Sequence, residues 1–112
     1  MATLNRLVLA GILLMGPGML LAEEQRVTTA NWVFHPKEIV IKSGDRVTWF
    51  NDDDTMHNIY FEDESLKAPL EGKPHNIRVK KSFSFDFTKA GEYIYHCKNH
   101  KSYGMSGKIV VE

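Results

Sequence analysis

Ser82-Phe83-Ser84-Phe85-Asp86-Phe87-Thr88-Lys89-Ala90-Gly91-Glu92-Tyr93-Ile94-Tyr95-His96-Cys97 is the stretch on which the rest of the chain is read. Apolar and polar residues alternate from Ser82 to Phe87, a turn signal follows at Lys89-Ala90-Gly91, and the alternation resumes through Tyr93, Tyr95 and Cys97. Side chains on an extended strand project to opposite faces at period two, so each half predicts a strand with one apolar face. Tyr93, Tyr95 and Cys97 then share the inward face, with Cys97 at the strand end. Ile94 and His96 point the other way, so His96 is not expected to reach an ion held by Cys97.

The same period runs outward from this stretch. Glu38-Ile39-Val40-Ile41-Lys42, Arg46-Val47-Thr48-Trp49 and Asn76-Ile77-Arg78-Val79 alternate likewise, and turn signals separate them at His35-Pro36, Ser43-Gly44-Asp45, Asn51 to Asp54 and Lys73-Pro74. The spacing predicts strands over 26–34, 37–42, 45–51, 56–61, 76–80, 82–87, 92–97 and 107–112. About eight such strands make an all-β, antiparallel-rich two-sheet β-sandwich. Trp32, Trp49, Phe83, Phe85 and Phe87 are assigned to its core; a base-stacking or sugar-binding surface would need them exposed. Glu62 to His75 reads as an irregular surface connection, and no repeat or low-complexity segment occurs.

With 112 residues, 43% hydrophobic and 25% charged, the chain has room for one domain. Residues 1–22 do not belong to it: Arg6 precedes the apolar run Leu7 to Met15, and small Ala22 stands before Glu23 and Glu24, the pattern of a secretory signal. The competing reading, an uncleaved anchor, meets a run shorter than the roughly 20 apolar residues of a spanning helix and the interruption Gly16-Pro17-Gly18. Removing residues 1–22 takes away Arg6 and no acidic residue, so the formal net charge of zero becomes −1 for residues 23–112. That charge gives no electrostatic footprint for nucleic acid. The expectation is an exported, periplasmic monomer without a membrane span.

Cys97 is the single cysteine, so no internal disulfide is possible. An exported lone cysteine pairs between chains, stays a free thiol, or places its sulfur on a metal. Its surroundings favour the metal: in Cys97-Lys98-Asn99-His100-Lys101-Ser102-Tyr103-Gly104-Met105 a thiolate, an imidazole and a thioether occupy nine positions. These are soft ligands suited to copper, and two histidines, a cysteine and a weak axial methionine make a blue-copper electron-transfer site. His57, which follows the turn-forming run Asn51 to Thr55 and opens a strand, is the best source of the second imidazole. With His57 included, the expected metal set is His57, Cys97, His100 and Met105; read by its position alone, His57 fits a surface histidine at a strand end equally well. Zinc also accepts histidine and cysteine, and the donor list alone does not exclude it.

The run from Phe34 to Trp49, followed by Asn51 and His57-Asn58, resembles the amino-terminal half of plastocyanin, and Cys97 to Met105 resembles its ligand loop. The resemblance covers nearly all of residues 30–112. The C-x2-H-x4-M spacing is similar to plastocyanin and pseudoazurin and longer than that of amicyanin, whereas Tyr95-His96-Cys97 is amicyanin-like. The chain is thereby identified as a member of the cupredoxins. The resemblance implies a Greek-key sandwich and one type 1 copper cycling between Cu(I) and Cu(II), with His57, Cys97 and His100 as strong ligands and Met105 as axial contact. It also implies that Asn58 bonds to the backbone beside the cysteine and that electrons leave through His100 to redox partner proteins. Lys98 and Lys101, on either side of His100, would steer an acidic partner patch. Glu62 to His75 shows no counterpart to the acidic patches of plant members.

Plainer readings hold elsewhere. His35 and His75 are read as solvated loop residues. Asp52 to Asp54 lacks the spaced oxygen ligands of a calcium loop and is read as a solvated turn. A catalytic Cys97–histidine pair would want a substrate cleft and an oxyanion site, which nothing in the pattern supplies, so no enzyme is expected. The remaining alternative is a periplasmic protein that stores or delivers copper; such modules favour exposed, methionine-rich sites, and this loop has one methionine.

Overall fold

A computed structural model describes residues 22–63, 66, 73–98 and 104–112. Among them lie nine strands: β1 Glu24–Ala30, β2 Val33–His35, β3 Glu38–Ile41, β4 Arg46–Asn51, β5 His57–Phe61, β6 His75–Ile77, β7 Ser82–Asp86, β8 Gly91–His96 and β9 Ser106–Val111. One sheet has the order β2-β1-β4-β7 and the other β3-β9-β8-β5-β6. The chain is an all-β sandwich, as its period-two patterning predicts. Two pairings are parallel, β1 with β4 and β3 with β9, and the rest are antiparallel.

The ninth strand arises where one run of 26–34 was expected. Ala30 pairs with Val33, leaving Asn31 and Trp32 as a two-residue turn with φ of 54° and 62°. Hairpins this tight favour turns with φ > 0 at both central residues, normally Asn-Gly. Tryptophan pays about 1–2 kcal/mol in that region and conceals the turn from a reading by residue type. The tertiary structure holds it: Asp53 accepts the N–H of Asn31 (2.6 Å) and of Trp32 (2.9 Å). Trp32 is therefore not a core residue as expected; it is 41% exposed at the hairpin tip.

The core lies between the sheets and is aromatic at its centre. Trp49 stacks on Phe83 (centroids 5.8 Å apart) and meets Tyr95 and Phe61 edge-on at 5.3 and 6.1 Å. Val47 and Trp49 are both buried, as are Tyr93, Tyr95 and Cys97, while Ile94 is exposed. Phe83 and Phe85 pack against this core half-buried. Gly107 faces Tyr95 across the β8–β9 ladder; a Cβ there would come within 2.9 Å of the ring carbon Cε1 and closer still to Cζ and Oη. At the opposite turn, Asp45 accepts the N–H of Glu23 and of Lys42, both at 2.9 Å, and Gly44 supplies a φ of 97°. Among the described residues no helix is long and apolar enough to cross a membrane.

Candidate metal centre

β5 and β8 are antiparallel neighbours, with Tyr60 opposite His96 and Phe61 opposite Tyr95. β8 in turn pairs with β9, His96 opposite Ser106. One step beyond that last pair the Cys97 N–H donates to the Met105 carbonyl at 3.0 Å. This backbone bond closes the loop between residues 97 and 105 and sets Cys97 and Met105 side by side, 0% and 1% exposed. His57, at the start of β5, is also fully buried, and its Nδ1 lies 3.8 Å from Cys97 Sγ. A thiol, an imidazole nitrogen and a thioether residue are thus gathered at one end of the sandwich. His100, the other expected ligand, and Lys101 lie outside the described residues. Among those described, no group of three or more His, Cys, Asp or Glu side chains is arranged to hold a metal.

Two asparagines join these pieces. Asn58 Oδ1 accepts the Lys98 N–H at 2.7 Å, the tie across the ligand segments that the plastocyanin resemblance implies. Asn51, fully buried, organises the turn before His57: its Nδ2 donates to the carbonyls of Thr55 and Ile77, both at 2.9 Å, and its Oδ1 accepts the Asp53 N–H at 2.9 Å.

Asp53 is the residue that sequence reasoning missed. It is not merely a solvated turn position: its Oδ2 lies 2.8 Å from His57 Nε2, and its side chain is only 10% exposed. Burial pushes its pKa up, but hydrogen bonds from the Trp32 N–H, the His57 ring and the Asn31 N–H outweigh that and hold it below the usual value. An ionised carboxylate only accepts, so His57 Nε2 is the donor in this contact, and Nδ1 is the ring nitrogen on the Cys97 side. The i,i+4 spacing to His57 was the available signal, but three consecutive aspartates share its chemistry and residue type does not choose among them. Trp32 closes the outer side, its ring edge-on to His57 with centroids 5.7 Å apart.

The other described histidines fall away from this centre. His96 projects from the opposite face of β8, packs on Tyr60 (5.5 Å) and has Nδ1 3.6 Å from Glu62. His35 Nε2 bonds to the Ala30 carbonyl at 3.0 Å. His75 is not a loop residue as expected: it opens β6 and stacks on Phe83 at 3.8 Å, and burial lowers its pKa. Lys98 extends its ammonium over the Tyr60 ring, 4.7 Å from the centroid. Asp52 pairs with Lys80.

A buried thiol beside an imidazole nitrogen, with a buried methionine adjoining, is a donor set that fits copper. The profile of the copper-binding proteins of the plastocyanin/azurin family matches residues 22–112. The chain belongs to that family. Among its relatives, a chloroplastic plastocyanin of Tetradesmus obliquus is 36% identical over 85 residues, covering 71% of this chain and 59% of the relative. Amicyanin of Paracoccus denitrificans is 36% identical over 91 residues, covering 77% and 63%. The match thus spans about three fifths of the length of these two cupredoxins. An oxidised variant of amicyanin superposes with a TM-score of 0.68 at 32% identity, over 80% of this chain and 82% of the other.

Proposed function

We propose that this protein is a one-electron carrier outside the cytoplasm, with copper held by His57, Cys97, His100 and Met105. The observation that carries the reading is the buried approach of His57 Nδ1 to Cys97 Sγ at 3.8 Å, beside Met105, in a chain of the copper-binding plastocyanin/azurin family. Bound copper would supply the one-electron couple.

The chain's own part is to keep one set of ligands in one place through both redox states. Asn58 and the Cys97–Met105 backbone bond fix the two ligand segments to each other, and Asn51 fixes the turn that delivers His57. His100 completes the set by spacing and is the proposed point of exit toward a partner, with Lys98 and Lys101 beside it to steer an acidic surface. Docking, rather than turnover of a substrate, is then the function, and the protein is not an enzyme. The apolar run before Ala22 supports residues 1–22 as a secretory signal and residues 23–112 as the exported, periplasmic domain. A donor set buried this deeply favours a retained ion over storage or delivery of copper.

The experiment is the visible spectrum of residues 23–112 loaded with cupric ion, before and after a mild reductant, with Cys97→Ser as control. An intense blue band that bleaches on reduction and is lost in the variant supports the carrier; absence of the band refutes it. Rapid surrender of copper to a chelator would transfer the reading to copper delivery. Electron transfer to the partner should slow as salt screens Lys98 and Lys101.

A further inference from the structure

Asp53 has one carboxylate and three donors around it. Oδ1 accepts the Asn31 N–H at 2.6 Å; Oδ2 accepts the Trp32 N–H at 2.9 Å and lies 2.8 Å from His57 Nε2. A hairpin cap needs only the first two. The third is made to a fully buried ring whose other nitrogen faces the cysteine sulfur, so this carboxylate fixes which nitrogen is turned toward the sulfur. Asp53 itself is held from below by its own N–H on Asn51 Oδ1 and from the side by a hairpin whose backbone is strained at two consecutive residues. Such strain persists only where the surroundings over-determine it.

We propose that Asp53 is the positioning residue of the metal centre: it takes the Nε2–H of His57, presents Nδ1 to the ion, and sets a negative charge against the ligand that favours the oxidised state. The inference rests on the reading of His57 as a ligand. A carboxylate on the far nitrogen fixes ring orientation and raises the basicity of the ligating one. Because the bond is made directly to a fully buried ring, the charge reaches the centre through a short contact rather than across bulk solvent. Extra electron donation and nearby negative charge both stabilise Cu(II) relative to Cu(I), so they lower the reduction potential.

The decisive variant is Asp53→Asn. One carboxamide oxygen cannot serve both sides of the residue: turned toward Trp32 and His57 it leaves the amide group facing the Asn31 N–H, turned the other way the amide group faces both of them, and in either orientation the negative charge is gone. The variant should shift the oxidised-to-reduced ratio about tenfold toward the reduced state, ~59 mV for a one-electron couple. It should also weaken copper retention about 10–100-fold against a chelator. Asn31→Gly is the control for the hairpin alone: glycine suits the φ of 54° and keeps both backbone donors to Asp53, so the potential should move by less than half as much. A second reading needs no variant. In the reduced, diamagnetic protein, NMR should show a persistent His57 Nε2–H proton shifted downfield by the carboxylate. A blue protein in which Asp53→Asn loses stability but keeps its potential, or whose His57 carries no Nε2–H, overturns the inference and leaves Asp53 a turn cap. Absence of any blue band in the parent protein instead overturns the copper reading on which the inference stands.

Discussion

Replacing Asn51 by alanine should cost about 3 kcal/mol of folding stability, although the side chain touches neither the proposed ion nor the aromatic core centre. The figure comes from its three hydrogen bonds, Nδ2 to the Thr55 and Ile77 carbonyls and Oδ1 to the Asp53 N–H, all at 2.9 Å around a fully buried residue. Each is worth about 1 kcal/mol net, and the price is higher where a buried partner is left without a bond. Against the roughly 5–15 kcal/mol total of a small domain this is a large share, equivalent to a fall of about 12–24 °C in Tm. The assay is urea unfolding of the metal-free protein, so that metal binding does not mask the loss. With an m value of about 1–1.5 kcal/mol/M, the midpoint should fall by roughly 2–3 M at unchanged m. Asn51→Asp should not rescue, because it restores the acceptor for Asp53 but loses both donors and sets a carboxylate against two carbonyls. A midpoint shift corresponding to less than about 1 kcal/mol, or full rescue by aspartate, would show that the turn before His57 is held by something other than Asn51.

Gly107→Ala drives a methyl group into the Tyr95 ring and should destabilise by about 1–3 kcal/mol, as overpacking does; adding Tyr95→Phe should recover part of the loss in thermal melts, since one of the clashing atoms is the hydroxyl. Met105→Gln should keep the blue band and lower the potential in voltammetry, and an unchanged potential would remove Met105 from the centre. Hydrogen bonding to Arg46 lowers the pKa of Asp86, so the contribution of that pair is present above the ordinary carboxylate value of about 3.9 and is lost as pH falls through the depressed one. The stability difference between the parent and Arg46→Gln should accordingly shrink to nothing in strong acid, and a difference that persists there in urea titrations would refute the assignment.

The strands, the inward face of Cys97 and the three donor types of the loop were legible because they depend on period and spacing, which are local. Alternation at period two assigns Tyr93, Tyr95 and Cys97 to one face before any partner strand is known. What the pattern did not reveal was the break in 26–34, because Trp32 offers no sign that it takes a left-handed conformation; the hairpin exists through hydrogen bonds donated to Asp53, more than twenty residues away in sequence. The same ignorance placed Trp32 in the core and left His75 in a loop, although pairing with Ile59 makes it part of a strand.

The amino-acid sequence by itself determined that this chain folds as a two-sheet sandwich with a soft-ligand loop between its last two strands, since both follow from residue type and order. Only the tertiary structure decided which of three adjacent aspartates meets His57, which nitrogen of that ring faces Cys97, and that Cys97 and Met105 are joined by a backbone bond. Those facts depend on angles and distances between segments remote in the chain. Residue type states what a side chain can donate or accept, and the packing of strands states to whom.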